Sequence, residues 1–224
     1  SKYQELKTFE KKKEILDQYN SNIYNAILKI RRKIEEKSEL NFLHSGHLGD
    51  IIYSLPLIKE LSKTHKCNLF IGVGKKMPVK YTNHPSGNVY LDKRMVELFI
   101  PLINNQKFIN KVSIHNNEEI DVNLDLFREV PIDIKFHSTR WYVHLTGVQI
   151  DMGQPYLEVE EHDKLKNNIV IVRSPRYRND FINYSFLNKT EDKIISIGLK
   201  SEYEDLKKSI KNLEFYDCKD FLEL

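Results

Sequence analysis

The sequence is poor in cysteine and almost without alanine: two Cys and a single Ala, Ala26, in 224 residues. Cys67 and Cys218 lie far apart and form neither a CxxC pair nor a zinc-type spacing. That argues against a disulfide framework and fits two free thiols in a reducing compartment. The scarcity of Ala beside abundant Lys, Asn and Ile reads as a bias of the coding sequence, not as a trace of function. No apolar run reaches the ~18 residues that a transmembrane helix needs. The charged N-terminus also lacks the apolar core of a signal segment. These absences make the cytoplasm the default location, with a peripheral place at the inner membrane surface compatible. An excess of one charge is missing too. The 35 Lys and Arg against 32 Asp and Glu leave a formal net charge of +3, which argues against nucleic acid as a partner, since dedicated binders carry a strong basic excess.

What remains is the composition of a folded protein. Hydrophobic residues make up 40% and charged residues 30%, which excludes wholesale disorder. The length allows one large domain or two small ones, with a core that needs no disulfide or metal staple.

Residues 1–38 are rich in Lys and Glu and hold no Pro or Gly. Leu6, Phe9, Ile15, Leu16, Tyr19, Ile23, Ile27, Ile30 and Ile34 recur at close to helical spacing. This is a long amphipathic helical extension, or two helices broken near Asn20–Asn22. The pattern is not a strict heptad. Packing on its own domain is one use for it, and self-association or partner binding is another.

From Leu40 the texture changes. Residues 41–44 read as a buried strand, 45–50 as a turn, 51–61 as an apolar helix with Pro56 inside it, and 68–73 as a second strand. Pro56 should kink that helix or shift its start. Strand, turn, helix, strand opens a parallel α/β domain. Residues 74–91 form a long loop of the kind that carries function at strand ends. A helix over 92–104, a strand over 111–115, an alternating stretch over 121–127 and a helix over 141–147 follow. The charged stretch 158–166 is the expected linker. Then the pattern restarts: a strand over 168–172, a basic loop, a strand over 193–197, a helix over 201–211, a strand over 213–216, and the first turn of a helix at 220–224. The expected division is 1–38, 39–160 and 161–224. The last segment has too few strands for a complete α/β domain and is expected to be truncated.

Ser45-Gly46-His47-Leu48-Gly49-Asp50 is the most informative stretch. Small residues let the backbone turn sharply and approach a ligand closely, and the N–H groups at a helix start attract anions. Asp50 fits a helix cap, where Asp is favoured. It also fits a carboxylate at the carboxyl end of a strand, where ligands bind in open α/β sheets. There it can take a proton from a hydroxyl nucleophile, and the positive helix end favours its ionised form.

Residues 44–58, with Gly49-Asp50 followed by Leu55-Pro56 and an apolar helix, resemble the opening motif of glycosyltransferase family 9, the ADP-heptose:lipopolysaccharide heptosyltransferases and their relatives. Residues 121–128, Arg140-Trp141-Tyr142, Gln154-Pro155-Tyr156-Leu157 and 171–179 are similar to later segments of such proteins, so the likeness spans about 39–224. The resemblance implies a GT-B fold of two Rossmann-like domains facing across a cleft, the first binding the acceptor and the second the nucleotide sugar. It implies inverting, metal-independent transfer of a heptose-like sugar from a nucleoside diphosphate donor, ADP-linked, to a hydroxyl of a lipopolysaccharide-type glycan. No cofactor and no metal are expected.

Carried over residue by residue, Asp50 is the general base, and Ser45, Gly46, His47 and Gly49 line the acceptor side of the cleft. The departing diphosphate needs cationic groups and N–H donors, for which the second-domain loop offers Ser174, Arg176 and Arg178. The family uses a Thr or Ser with a Lys there, so arginine is a departure, although Arg binds phosphate well. Glu202, at a helix start, resembles the carboxylate that holds the nucleotide ribose. The Gly- and Ser/Thr-rich loop that cradles the diphosphate in the family has no counterpart here.

Two other readings stand beside this one. A non-catalytic module of the same fold would bind a nucleotide or glycan and assemble through 1–38. The HxGH spacing of His44-Ser45-Gly46-His47 matches the motif of nucleotidyltransferases, but Lys75-Lys76-Met77 is a poor match to their second motif. Lys75, Lys76, Lys80, His84 and the run His137-Ser138-Thr139-Arg140 offer contacts to an anionic acceptor. Trp141 and Tyr142 read as core rather than as a sugar platform.

Overall fold

The computed structural model describes residues 9–78, 86–130, 138–173, 179 and 181–224. It divides into two compact units that meet in sequence between Glu158 and Val159. Among the described residues no helix is long and apolar enough to cross a membrane.

The first unit opens with a helical run. Helix α1 (Phe9–Gln18) passes through a π-helical stretch, Tyr19–Tyr24, into α2 (Asn25–Glu36). The break expected near Asn20–Asn22 is therefore a widened turn and not an interruption. Ser21 Oγ donates to the Gln18 carbonyl and Asn25 Nδ2 to the Ser21 carbonyl, bonds of the kind that compete with the helix ladder. Helix α1 buries no residue, and its Phe9 and Leu16 are exposed. Helix α2 buries Ile27 and Ile30, and Arg31 Nη2 donates to the His144 carbonyl at 2.8 Å.

Four parallel strands follow: β1 (Glu39–His44), β2 (Lys66–Ile71), β3 (Lys111–Ile114) and β4 (Val122–Asn123), in the order β3-β2-β1-β4. The chain moves outward from β1 through β2 to β3, then returns to the far side of β1 for β4. Strand β2 is buried from Cys67 to Ile71, as a central parallel strand covered on both faces must be. Leu40 and Phe42 of β1, Leu69 and Ile71 of β2, and Ile51, Leu55 and Ile58 of helix α3 (Leu48–Leu61) are fully buried. Each such side chain contributes roughly 1.5–3 kcal/mol of hydrophobic stabilisation. Register has a polar lock as well. Asn41 and Asn68 pair across β1 and β2, Asn68 Nδ2 donates to Asn41 Oδ1 at 2.9 Å, and Asn110 Nδ2 donates to Asn68 Oδ1 at 2.6 Å.

Helix α3 begins three residues before the apolar pattern does. Pro56 lies inside it and is buried. It neither starts nor ends the helix; the cost is the ladder bond that a residue-56 N–H would give the Ile52 carbonyl. Helix α4 (Lys93–Asn104) is capped by Asp92, which accepts from the Met95 N–H at 2.8 Å. The alternating stretch 121–127 is not one strand. It is the two-residue β4 followed by a 3-10 turn, Leu124–Arg128, because Asn123 Oδ1 accepts from the Asp125 N–H and bends the chain. Helix α5 (Thr139–Thr146) ends at Gly147, whose φ of 75° is the left-handed cap glycine favours.

The second unit holds β5 (Ile169–Val172), β6 (Ile194–Ile197) and β7 (Leu213–Phe215), all parallel in that order, with helix α6 (Lys200–Lys207) between β6 and β7. Ile194, Leu206, Ile210 and Leu213 form its core with Ile169, Ile171 and Tyr203 against them. On β5 the alternate residues Val170 and Val172 are exposed. The helical turn expected at 220–224 is a turn held by Asp220 Oδ1, which accepts from the Leu222 and Glu223 N–H groups.

Candidate functional site

In a sheet ordered β3-β2-β1-β4, the connections leave β1 on one side and return on the other. At such a reversal, at the carboxyl ends of the strands, open α/β sheets bind ligands. Asp50 follows β1, while Asp125 and Arg128 lie in the 3-10 turn after β4. Sheet order thus brings together residues about 80 positions apart, joined by a hydrogen bond from the Ser45 N–H to Asp125 Oδ1 at 2.7 Å.

Asp50 is not the residue before helix α3 but its third. His47 is the N-cap, and the Asp50 side chain reaches back to accept from the His47 N–H at 3.0 Å. Arg128 Nη2 donates to the same oxygen, Oδ2, at 2.5 Å. Among the described residues Oδ1 accepts no hydrogen bond. Arg128 is itself held between two rings, with its guanidinium carbon 4.2 Å from the Phe127 centroid and 4.6 Å from that of Tyr90.

Tyr90 arrives on the long loop after β2. Lys76 and Val89 form an antiparallel bridge, and the Tyr90 N–H donates to the Lys75 carbonyl. That folds the described part of the loop into a ribbon. The same ribbon places Lys75 Nζ 2.8 Å from Asp125 Oδ2 and stands the His47 ring edge-on to Tyr90 at 4.9 Å. Burial opposes the charge of Asp125, but Lys75 and the Ser45 N–H outweigh it and hold the carboxyl below its ordinary range.

His44 is fully buried beneath this group. The Gly46 N–H donates to its Nδ1 at 2.9 Å, so the proton sits on Nε2, which donates to Tyr142 Oη at 2.8 Å. The Tyr142 hydroxyl in turn donates to the Asp50 carbonyl at 2.9 Å. Burial pushes the imidazole down to about 3, more strongly than Asp125 pulls it up. His44 is thus a neutral strut that fixes the turn and the Asp50 peptide. Burial also pushes the Tyr142 phenol up. Tyr142 is core, while Trp141 stacks nearly flat on Phe127 at 5.1 Å and 13°.

No family model matches the chain, and no curated protein matches it. Among solved structures it is similar to the crystal structure of the glycosyl transferase family 9 from Veillonella parvula DSM 2008, with a TM-score of 0.47 and 10% identity over 80% of this chain and 68% of that one.

The other expected site residues are placed as follows. Ser45 and Gly46 are buried, His47 is half-buried and Gly49 is exposed on the first turn of α3. Ser45 packs so closely that a Cβ on Gly72 would collide with it. Ser174, Arg176 and Arg178, together with Lys80, His84 and His137, lie outside the described residues. Glu202 is the third residue of α6, and its Oε2 accepts from the Leu199 N–H at 3.1 Å. It thus repeats in the second unit the cap that Asp50 makes in the first. Among the described residues no three His, Cys, Asp or Glu are grouped to hold a metal ion. Arg128 and Asp125 were not singled out by the sequence, only the segment that contains them, and Tyr142 reads there as core, which its full burial bears out.

A Cβ added at Gly49 would meet nothing within 4 Å, so the fold itself does not require glycine there. Gly49→Ala is expected to stabilise the protein by up to about 1 kcal/mol, since glycine is the weaker helix former. A rise in Tm with weakened acceptor binding would mark the space above Gly49 as ligand space; a rise with unchanged binding would exclude it.

Proposed function

We propose that the chain is an inverting glycosyltransferase that moves a sugar from a nucleoside diphosphate donor to a hydroxyl of a glycan acceptor. The observation that carries this reading is the Asp50 carboxylate at the strand-order reversal, tied through Oδ2 and, among the described residues, accepting no hydrogen bond at Oδ1. A general base must reach the proton it takes, and Oδ1 is the oxygen that the described residues leave for it. In the reaction the acceptor oxygen bonds to the anomeric carbon from the face opposite the leaving group. Its proton passes to Asp50, and the bond to the diphosphate oxygen breaks with its electron pair leaving on the diphosphate. The likeness of residues 44–58 to family 9 supports the same assignment and suggests a heptose-like sugar, an ADP-linked donor and a lipopolysaccharide-type acceptor. Metal independence, the donor contacts of Ser174, Arg176 and Arg178, and a ribose contact by Glu202 belong to this proposal. Nucleotidyl transfer by the HxGH stretch would need both histidines at one phosphate, and His44 has both ring nitrogens engaged in the core.

Calorimetric titration with ADP, GDP, UDP and CMP tests the donor assignment. Selective binding of ADP is expected. Binding of another nucleotide would change the donor, and binding of none would overturn the donor assignment.

A further inference from the structure

The pair between Asp50 and Arg128 is prepared from several sides. Phe127 and Tyr90 both pack against the guanidinium. Asp125 Oδ1 stands 4.0 Å from Nη1. Gly46 leaves the space in which the two groups meet: a Cβ there would lie 2.6 Å from Arg128 Nη2 and 2.8 Å from Asp50 Oδ2. Both side chains are about three-quarters shielded, each with 23% exposure. A carboxylate without such partners turns about its last torsion and presents its two oxygens interchangeably. Here Arg128 Nη2 and the His47 N–H converge on one oxygen and fix the plane of the other.

We infer that Arg128 is the positioning residue of the proposed base, holding Asp50 by Oδ2 so that Oδ1 faces the acceptor hydroxyl. This rests on the reading of Asp50 as the base. Arg128 need not touch either substrate. Its Nη2 hydrogen bond, aimed by the packing of the planar guanidinium on two rings, does the positioning, and a lysine supplies the charge without that packing.

The test is nucleotide release from a panel of nucleotide sugars, with kcat, acceptor KM and Tm measured for the wild type, Arg128→Ala and Arg128→Lys. Arg128→Ala is expected to lose about 100-fold in kcat, the scale of a small misplacement of a reacting group, with acceptor KM near the wild-type value. Methylguanidinium, which carries the planar cation that Arg128→Ala removes, is expected to restore turnover saturably. Arg128→Lys is expected to recover part of the loss. An Arg128→Ala protein with wild-type kcat overturns the inference. So does one whose loss follows only its lowered folded fraction and does not respond to methylguanidinium. If Arg128→Ala does not fold, Arg128→Lys decides: full kcat at unchanged Tm overturns the inference, and a fall in kcat alone supports it. A wild type without turnover on any donor overturns the base assignment and this inference with it, whereas an active wild type beside an equally active Arg128→Ala overturns this inference only.

Discussion

Asp50→Asn is expected to lower glycosyl transfer by about 10³-fold, within the range that a positioned general base contributes, while the protein stays folded. Asparagine keeps the size and planarity of the side chain. Its carbonyl oxygen can still accept from the His47 N–H and Arg128 Nη2, the two bonds that Asp50 Oδ2 accepts. The atom at the Oδ1 position then becomes an NH2 group, which donates where the reaction needs an acceptor. The acceptor hydroxyl keeps its proton and attack slows. Donor binding should be unchanged, because the donor contacts are proposed for the second unit. Loss of the pair with Arg128 should cost little stability, on the order of 1 kcal/mol for a partly shielded pair. Nucleotide release, calorimetry and thermal melting separate these effects. Unchanged turnover in Asp50→Asn would show that Asp50 is a helix cap and no more, whereas a wild type without turnover would favour a binding module.

The elements of this fold were legible where apolar residues are dense. Strands β1 and β2 and helices α3 and α4 announce themselves because each buries a continuous face, and their observed ends differ from the pattern by a few residues at most. The shift at α3 matters most. Leu48, Gly49 and Asp50 look like turn residues, since two of them are poor helix formers, yet they form the first helical turn because the side chain of Asp50 satisfies the His47 N–H. The stretch 121–127 misled for the opposite reason: it alternates like a strand, but Asn123 ends the strand after two residues. The site was half legible. Asp50 and the glycine turn stand in one contiguous motif. Arg128, Asp125, Lys75 and Tyr142 join them only through sheet order and loop closure, and no local spacing records that a two-residue strand lies beside β1. HxGH misleads in the same way, because sequence spacing cannot tell a buried strut from a cleft-facing ligand.

Asp121→Ala is expected to destabilise the protein by about 2 kcal/mol, the scale of leaving a shielded donor without its charged acceptor. Its side chain is 2% exposed and ties three elements together: Lys33 Nζ at 3.0 Å and Lys37 Nζ at 2.6 Å from the α2 end, and the Asn41 N–H of β1 at 3.1 Å. Without the carboxylate that half-buried N–H loses its acceptor, and the two lysines lose the anchor that draws α2 onto the sheet beside β4. Burial opposes the charge of Asp121, but Lys37, Lys33 and the Asn41 N–H outweigh it and hold the carboxyl below its ordinary range. The sign of the pH dependence follows. A carboxyl whose pKa is lower in the folded state binds more protons when unfolded, so its contribution is fully present above the unfolded value of about 3.9 and is lost as pH falls through the folded one. Denaturant unfolding at neutral pH should show the full gap between wild type and Asp121→Ala, and the gap should narrow on acidification below about pH 4. A gap independent of pH would mean that packing, and not the charge of Asp121, holds α2 in place.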